Sequence, residues 1–452
     1  MGIFKRVLVA NRGEVAARII RACHELGIEA VAVYSTADKD SPHLQLADVS
    51  VCIGPASSSD SYLNMDAILQ AGDQTDCQAV HPGFGFLGEN AHFAARVRQQ
   101  QMAWIGPPPL AIARMGDKAE ARRAMKAAGL PTIPGTEGIL ADVEEARVAA
   151  AEVGYPVLLK ATAGGGGKGM RRCANEGDLA TAYSEASLEA EKAFGNAGLY
   201  LEKVLLGARH IEFQVLADVY GSAVHLGERE CSVQRRHQKL LEEAPSPAMD
   251  GATRDEIGRR AADAAAAIGY TSAGTMEFLR DVDGHYYFME MNTRLQVEHP
   301  VTEMITGVDI VQEQIKIAAN RPLEITQSEI AIDGHAIEFR INAEDPDRDF
   351  RPDPGTISVF EPPTGDGVRI DTHVTSGYRI PPFYDSMIAK LIVHGDDRMD
   401  AIRRSEAALG DFRIEGVATT IPIHQRILSE PAFREGAYDT MWLERLLAGS
   451  EN

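Results

Sequence analysis

Five polar residues occupy every second position in one stretch of the chain: Glu290, Asn292, Arg294, Gln296 and Glu298. Successive side chains of a β-strand point to opposite faces, so this spacing predicts that all five lie on the same side of an extended chain. Apolar residues between them would face a core. Carboxylate and amide oxygens on one face suit Mg²⁺ that is shared with substrate phosphates. The stretch therefore predicts one chemical face and one packed face.

The residues before this row predict a β-hairpin. Segments 275–280 and 285–291 are rich in aromatic and alternating apolar residues, and Asp283-Gly284 between them is typical of a two-residue type I′ turn. With that turn, Glu277 lies directly opposite Glu290. Like charges so placed destabilise a hairpin unless a cation lies between them, which favours a metal site. The alternative is the solvated outer face of a two-stranded ribbon.

Composition indicates a globular protein of several domains. The chain has 452 residues, 44% of them apolar, and lacks a long uncharged apolar run. Its length predicts about three domains, and no segment has the pattern of a membrane span or a signal peptide. The five cysteines are scattered without a CxxC pair. They predict neither a disulfide framework nor a zinc site, and they fit a reducing cytoplasm.

The formal net charge of −21 argues against a nucleic-acid-binding surface. Any anionic substrate must then be held by local cations. The densest basic run is Arg235-Arg236-His237-Gln238-Lys239, which lies between two predicted strands. It is either a solvated surface or an anion site.

The first hundred or so residues alternate between strands and helices. Strands at 7–10, 30–34 and 79–80, with a helix at 14–26, predict a parallel, doubly wound sheet. The first turn, residues 11–14, lacks the GxGxxG pattern, so no motif supports a dinucleotide oxidoreductase. Residues 81–90 follow a strand and open a helix, which is where open α/β sheets place ligands. Their glycines alone are also compatible with a plain loop.

A glycine-rich loop follows in a small α/β segment at about 132–203. A buried strand pattern ends at Lys160 and precedes Gly164-Gly165-Gly166-Gly167-Lys168. Consecutive glycines expose backbone N–H groups that can wrap phosphate oxygens, while Lys160 and Lys168 supply charge. The loop is not a Walker A motif, because Gly169 stands where Ser or Thr is required. The alternative is a flexible linker.

The remaining chain is richer in strands. Residues 200–205 look like a crossing segment between domains, a place where a purine can lie against backbone polar groups. Segment 335–342 predicts a half-buried strand with Arg340 on its polar face. Another strand is predicted at 386–393, with helices at 398–409 and 438–447.

Taken together, these motifs resemble one family. Segment 290–299 is similar to the signature of ATP-grasp enzymes, and with segments 11–14, 81–90, 164–168 and 383–387 the chain resembles a biotin carboxylase from residue 7 to about 447. The resemblance implies an ATP-grasp fold of α/β and α+β class. Its expected parts are an N-terminal doubly wound parallel sheet (1–115), a linker helix (116–131), a small mobile lid domain (132–203) and a larger mixed β-rich domain (204–448).

The resemblance also implies a reaction and its partners. Bicarbonate would attack the γ-phosphate of ATP, with Mg²⁺ or Mn²⁺ as the metal, to give carboxyphosphate. The carboxyl group would then pass to N1′ of biotin on a biotin carboxyl carrier protein. The chain is most like the stand-alone subunit of acetyl-CoA carboxylase, which implies a cytoplasmic homodimer working with a carboxyltransferase and with neither nucleic acid nor membrane.

Residue roles follow from the same resemblance. Glu277, Glu290 and Asn292 would hold the metal, Glu298 would be the general base, and Arg340 would face the enolate oxygen of biotin, near Phe84. Bicarbonate would be held by Lys239, Arg294, Gln296, Val297 and Glu298. The nucleotide would be surrounded by Lys118, Lys160, Gly165, Gly166, Gly167, Lys168, Glu202, Lys203, Leu205, His210, Gln234, His237 and Leu279. Phe84 stands where many relatives have Tyr, and Lys168 where Arg is also found.

Three alternatives remain open. The chain could serve a pyruvate, propionyl-CoA or other acyl-CoA carboxylase, since the biotin half-reaction is shared. It could be another ATP-grasp ligase that activates a carboxylate and passes it to an amine. It could also be a nucleotide-sensing module without chemistry, although the Glu277, Glu290, Glu298 and Arg340 set argues against that.

Overall fold

The computed structural model describes residues 3–162 and 169–449, and its first part is a parallel α/β unit. The strands, in sheet order β3-β2-β1-β4-β5, and their helices are β1 (Arg6–Val9), α1 (Gly13–Glu25), β2 (Glu29–Ser35), β3 (Val49–Gly54), α2 (Met65–Gln74), β4 (Ala79–His81), α3 (Ala91–Gln99), β5 (Ala103–Trp104) and α4 (Pro109–Gly116). Strand β1 shows why both faces are covered. Val7 and Val9 pack with α1, whereas Leu8 packs with α2 and α3 on the other side. The predicted doubly wound parallel sheet is confirmed.

A small antiparallel unit follows a linker helix. The linker helix is α5 (Lys118–Ala127), and the unit itself consists of α6 (Val143–Val153), β6 (Val157–Ala161), β7 (Met170–Cys173), α7 (Glu176–Phe194) and β8 (Leu199–Lys203). The strand order is β7-β6-β8. Alanines of α6 and α7, among them Ala146 and Ala186, let both helices lie close to the sheet. Gly165, Gly166, Gly167 and Lys168 fall outside the described residues.

The largest unit is built on an eight-stranded antiparallel sheet, in the order β13-β12-β9-β10-β11-β14-β19-β18. Its elements are β9 (Arg209–Ala217), β10 (Ala223–Arg235), β11 (Gln238–Ala244), α8 (Gly251–Ala267), β12 (Ser272–Arg280), β13 (Tyr286–Asn292), α9 (His299–Thr306), α10 (Ile310–Ala318), β14 (His335–Asn342), β15 (Glu344–Asp345), β16 (Arg351–Pro352), β17 (Val359–Glu361), β18 (Val368–Thr372), β19 (Met387–Gly395), α11 (Arg398–Asp411), β20 (Arg413–Glu415), α12 (Ile421–Ser429), α13 (Pro431–Arg434) and α14 (Trp442–Leu447). The last helix begins at Trp442, later than the predicted 438. Among the described helices, none is both long and apolar enough to cross a bilayer.

The sheet positions the site because its central strands alternate. On β9, Ile211, Phe213 and Val215 belong to an apolar core that includes residues of α8. His210 and Glu212 alternate with them and point to the other face, where both are buried. Because other elements cover this polar face, its side chains are held in a fixed environment, as catalytic and binding groups require.

The hairpin of β12 and β13 differs from its prediction in the turn. The loop contains three residues between Asp281 and His285, with Gly284 at a φ of 90°, in place of a two-residue turn. A β-bulge between the Glu277 and Phe278 pairs adds one residue on β13. The two irregularities compensate, so Glu277 and Glu290 are still paired as predicted.

The prediction that residues 290–298 form one extended segment is also wrong in part. Strand β13 ends at Asn292, and residues 293–298 form irregular turns before α9 starts at His299. Pro300 occupies the second position of that helix, where its fixed φ favours the first turn. The five side chains nevertheless line one cavity, because the turns keep them on that side.

Candidate active site

A cavity of about 980 Å³ lies where the three units meet. Its lining takes the loops after β1 and β4 from the first unit, β6 to β8 from the second, and β9 to β14 from the largest sheet. A volume of this size suits a nucleotide with a second small substrate. The predicted site residues in its lining are Phe84, Lys118, Lys160, His210, Gln234, His237, Lys239, Glu277, Leu279, Glu290, Asn292, Arg294, Gln296, Val297, Glu298 and Arg340.

Three predicted nucleotide residues are described but do not line this cavity: Glu202, Lys203 and Leu205. The Lys203 Nζ donates to the backbone oxygens of Gly154 and Tyr155 at 2.7 and 2.9 Å, so the side chain points away. Glu202 lies behind the lining, where its Oε2 accepts from Lys160 Nζ at 2.5 Å and its other oxygen binds Arg122. Glu202 thereby fixes the ammonium group that faces the cavity. Burial raises the pKa of Glu202, but Lys160 and Arg122 outweigh burial and bring the pKa below its usual value, so the carboxylate stays ionised.

Glu277 is the most heavily bonded carboxylate of the site. Its Oε1 accepts from Asn292 Nδ2 at 2.7 Å, from Lys239 Nζ at 3.2 Å and from Gln296 Nε2 at 3.2 Å. Its Oε2 lies 2.9 Å from His210 Nε2. Burial raises the pKa of Glu277, but Lys239 and His210 outweigh burial and hold the pKa well below its usual range. The group is a carboxylate at neutral pH.

Glu290 lies opposite Glu277 across the hairpin and has a different environment. Burial raises its pKa, the neighbouring carboxylate of Glu277 raises it further, and Lys118 opposes both. A buried and a partly buried carboxylate side by side, with unequal cation support, are the arrangement that a divalent cation relieves. The donor set therefore fits Mg²⁺ or Mn²⁺ held by Glu277 and Glu290.

Asn292 joins this donor set through its amide. In the structure, Nδ2 faces Glu277 and Oδ1 accepts from Arg294 Nη2 at 3.1 Å. Rotation of the amide by half a turn would exchange the two atoms and bring the oxygen to the carboxylate side. Asn292 can then be the third oxygen ligand without any backbone movement.

Glu298 is the centre of a second charge cluster and is fully buried. Its Oε1 accepts from Lys239 Nζ at 2.6 Å and its Oε2 accepts from Arg340 Nη2 at 3.0 Å. Burial raises the pKa of Glu298, but Lys239, Arg340 and Arg229 hold it well below its usual range. The carboxylate is ionised and fixed in orientation, as a general base must be before it accepts a proton.

Lys239 connects the two clusters. Its ammonium binds Glu212 at 2.6 Å as well as Glu277 and Glu298. Burial would lower the pKa of Lys239, but the surrounding carboxylates raise it well above its usual value, so the cation persists. Lys239 comes from the start of β11, which places the end of the basic run in the site and not on a solvated surface.

Arg294 and Gln296 hold each other next to this cluster. Arg294 Nη1 donates to Gln296 Oε1 at 3.0 Å, and Arg294 Nε donates to Glu89 Oε2 at 2.9 Å. Glu89 also accepts from the backbone N–H of Thr293 at 3.0 Å. A carboxylate of the first unit therefore orients the guanidinium. The Val297 carbonyl accepts from Lys390 Nζ at 2.8 Å, which fixes the next turn.

The turn between β10 and β11 carries the other basic residues. Arg236 and His237 adopt left-handed φ values of 50° and 63°, which turns the chain sharply before Lys239. Arg235 lies over the Phe350 ring at 4.4 Å and binds Asp349, whereas His237 lines the cavity. Leu279 and Phe84 supply apolar lining, and the Phe84 carbonyl accepts from Asn11 Nδ2 at 2.7 Å.

Several buried charges of this site escaped the sequence analysis. Arg229 is fully buried and donates to Glu212 at 2.5 Å, to Gln214 at 2.8 Å and to Thr302 at 2.9 Å. This network supports Lys239 from behind. The available signal was the alternation of His210, Glu212 and Gln214 with apolar residues on β9. That pattern does not distinguish a solvated face from a polar face covered by other elements.

The small sheet β7-β6-β8, called the lid sheet below, and the larger antiparallel sheet enclose a nucleotide-sized cavity with paired carboxylates. This arrangement defines an ATP-grasp enzyme. Models of three domains match this chain: the biotin carboxylase N-terminal domain over residues 3–112, the carbamoyl-phosphate synthase L chain ATP-binding domain over 117–326, and the biotin carboxylase C-terminal domain over 338–445. The chain belongs to the biotin carboxylase family, which confirms the expected fold and enzyme class.

Individual relatives cover the whole chain. The biotin carboxylase of Nostoc sp. is 54% identical over 443 residues, which are 98% of this chain and 99% of the relative. The structure of the biotin carboxylase domain dimer of Hydrogenobacter thermophilus 2-oxoglutarate carboxylase, in complex with MgADP, ADP and bicarbonate, has a TM-score of 0.95 at 50% identity and covers all of both chains. The Campylobacter jejuni biotin carboxylase–β-γ-ATP complex has a TM-score of 0.95 at 48% identity and covers 98% of this chain and 99% of its own.

Proposed function

We propose that the cavity carries out both half-reactions of ATP-dependent biotin carboxylation, with bicarbonate as the carboxyl source. The observation that carries this proposal is the ionised Glu298, held between Lys239 and Arg340 beside the paired carboxylates. A base between two cations fits a reaction in which an acidic anion is bound, deprotonated and then phosphorylated.

The nucleotide lies between the lid sheet and the large sheet. Lys118 and Lys160 face the cavity and supply positive charge for the phosphates, with Glu202 fixing Lys160. His210, Gln234, His237 and Leu279 complete the lining on the large sheet. Glu277, Glu290 and Asn292 would hold Mg²⁺ or Mn²⁺, which when bound neutralises charge that develops on the transferring phosphoryl group.

Bicarbonate binds beside Glu298. The guanidinium of Arg294 and the ammonium of Lys239 supply charge, and Gln296 and the backbone at Val297 complete the contacts. Glu298 accepts the bicarbonate proton while a bicarbonate oxygen attacks the γ-phosphorus of ATP and the bond to ADP breaks. The products are carboxyphosphate and ADP. Lys239 and Arg294 keep both the reactant anion and the more highly charged product in place.

Transfer to biotin uses the products of that step. Carboxyphosphate breaks into CO₂ and phosphate, and the phosphate removes the proton from N1′ of biotin. Arg340 stabilises negative charge on the ureido oxygen, because its guanidinium stays cationic at every working pH. The N1′ nitrogen then forms a bond to the carbon of CO₂. Phe84 also lines the cavity and offers apolar contact in place of a hydroxyl.

We further propose that biotin is presented by a biotin carboxyl carrier protein, that the chain works as a homodimer, and that a carboxyltransferase uses the product. Acetyl-CoA carboxylase is the proposed holoenzyme, supported by similarity along the full length to biotin carboxylases such as that of Nostoc sp.. The likeness to the domain of a 2-oxoglutarate carboxylase favours a second candidate, another acyl or oxoacid acceptor, because the biotin half-reaction is the same. Light scattering tests the dimer, and affinity capture of the carrier with its carboxyltransferase decides between acceptors.

The deciding experiment is ADP release by the purified protein with MgATP, bicarbonate and free biotin, each omitted in turn. We expect ADP release that needs bicarbonate and increases with biotin, together with label from ¹⁴C-bicarbonate on biotin. ADP release that instead needs an amine would indicate a carboxylate–amine ligase. MgATP binding without any turnover would indicate a nucleotide sensor.

A further inference from the structure

A buried carboxyl group lies beneath Arg340 and has no role in the chemistry above. Glu338 is two residues before Arg340 on β14 and is fully buried. Within residues 3–162 and 169–449, neither of its carboxyl oxygens has a hydrogen-bond partner. A buried carboxylate without a donor is strongly destabilising, whereas a protonated carboxyl group is tolerated and can itself donate.

Glu338 faces a second buried carboxyl group. Glu242 on β11 is its Cα partner in the antiparallel register, so both side chains lie on one face with Cβ atoms about 5 Å apart. The Glu242 Oε1 accepts from Arg340 Nε at 2.7 Å, and Oε2 has no partner in the described part of the chain. Within the described residues, Glu338 thus has no partner for a carboxyl proton, and its strand neighbour Glu242 has one oxygen that accepts no hydrogen bond.

The other charges around Glu338 do not neutralise it. Lys390 on β19 is the Cα partner of Arg340, but its Nζ donates to the Val297 carbonyl at 2.8 Å and lies 3.4 Å from Glu14 and 3.8 Å from Asp371. Arg340, on the same strand, is shared by Glu242 and Glu298. Glu298 at the start of α9 adds a negative charge. Burial raises the pKa of Glu338 well above its usual value, and Glu242 and Glu298 add to the rise against Lys390 and Arg340.

We propose that Glu338 is protonated and donates its proton to Glu242 Oε2, so that the two residues carry one negative charge and act together as positioning residues for Arg340. The shared proton keeps Glu242 Oε1 as the acceptor for both Nε and Nη2 of Arg340, and this contact fixes Nη2 where it also reaches Glu298. This inference rests on the proposed role of Arg340 toward biotin.

Four variants separate positioning from a general structural role. Glu338→Gln keeps a neutral donor and retains most carboxyl transfer. Glu338→Ala removes the donor, and Glu242→Gln removes the carboxylate charge that pairs with Arg340; each lowers carboxyl transfer about tenfold, the effect of losing one charge-assisted hydrogen bond, while bicarbonate-dependent ATP cleavage changes by less than about threefold. Glu230→Gln is the matched control. It is a buried carboxyl group on the opposite face of the same sheet, bound to Arg209, Ser232 and Ser246, and it leaves the ratio of the two activities unchanged.

Infrared difference spectra of the ligand-free protein test the proton directly. At pH 8, above the pKa of about 7 of the buried Glu14, we expect a carbonyl band of a buried protonated carboxyl group in the wild type and in Glu230→Gln, and its loss in Glu338→Gln. Absence of that band in the wild type, or equal losses of both activities in Glu338→Gln and Glu338→Ala, would overturn the inference. The infrared result does not depend on whether biotin is the substrate, so a wild type that shows the band but no carboxyl transfer would refute the proposed function alone.

Discussion

Lys239 and Arg340 bind opposite oxygens of the Glu298 carboxylate, at 2.6 and 3.0 Å. The two cations come from β11 and β14, which are neighbours in the large sheet, whereas Glu298 precedes α9. The carboxylate is therefore held in one orientation before any substrate arrives. Its ionisation is stabilised in part by Lys239, which would also hold the bicarbonate ion, so the base and its substrate share one cation.

Glu298→Gln removes the proton acceptor and keeps the shape of the side chain. We expect unchanged MgATP affinity and a loss of bicarbonate-dependent ADP formation of about 100-fold or more, since a positioned general base contributes about 10² to 10⁴. Nucleotide titration and steady-state ADP release measure the two quantities. Cys231→Ala is the control, because its thiol lies 4.0 Å from Glu298 Oε1 and has no role in the chemistry. Turnover that is unchanged in Glu298→Gln would refute the base assignment.

Arg340→Ala is expected to separate the half-reactions. Carboxyl transfer to biotin loses its enolate stabilisation, so it falls about 100-fold or more. Bicarbonate-dependent ATP cleavage falls less, because Lys239 still binds Glu298 when Arg340 is gone. Parallel assays of ADP release and of labelled carboxybiotin give both rates. If the two rates fall equally, Arg340 holds bicarbonate or the fold and not the ureido oxygen.

The pairing of Glu277 with Glu290 shows what a sequence can and cannot provide. Alternation predicted both strands, and Asp283-Gly284 located the reversal between them. The loop length was wrong, because Asp281 accepts from the backbone of Asp283 and His285 and so stabilises a three-residue loop. A compensating bulge restored the pairing. Local turn signals alone predict neither feature, since both depend on how the finished sheet twists.

The site was predictable where residues are close in sequence and not where domains meet. The row from Glu290 to Glu298 could be recognised as one face. The contacts of Glu89 with Thr293 and Arg294 link positions about two hundred apart, and no spacing rule connects them. Glu242 and Glu338 look like the polar residues of half-exposed strands. Only the packing of α9 over the sheet shows that they are buried.

Removal of one metal carboxylate should change the metal requirement. Glu290→Gln is the cleaner variant, because Glu277 also binds His210 and Lys239. We expect the Mg²⁺ concentration for half-maximal ADP release to rise at least about tenfold, the effect of losing one anionic ligand from a site with few protein ligands. Glu277→Gln should raise it as well, with an added loss of bicarbonate affinity through Lys239. Unaltered Mg²⁺ dependence in both variants would refute the metal assignment.

Glu89→Gln tests the contact between units. The variant weakens the hydrogen bonds that residue 89 accepts from Arg294 Nε and from the Thr293 N–H, so the guanidinium is less well oriented for bicarbonate. We expect KM for bicarbonate to rise about tenfold and KM for ATP to stay unchanged. Asp66→Asn is the control, since Asp66 forms an exposed ion pair with Arg96 in the same unit. Equal changes in both KM values would show that Glu89 only holds the units together.

Glu14 should make stability depend on pH near neutrality. It is fully buried 3.4 Å from Lys390 Nζ, and burial raises its pKa to about 7 despite the opposing effect of Lys390. A carboxyl group whose pKa is higher in the folded state stabilises the fold at low pH. That contribution is lost as pH rises from the ordinary value near 4.5 through 7.

The Glu14→Gln side chain is neutral at every pH, so the variant does not lose stability from this position as pH rises. We expect its stability relative to the wild type, measured as the free energy of unfolding, to increase by up to roughly 3 kcal/mol between pH 5 and pH 8. Denaturant titrations at the two pH values measure the difference, and Glu152→Gln in the exposed part of α6 is the control with no such change. A relative stability that is constant from pH 5 to pH 8, or that falls as pH rises, would show that Glu14 is already ionised at pH 5 through its contact with Lys390.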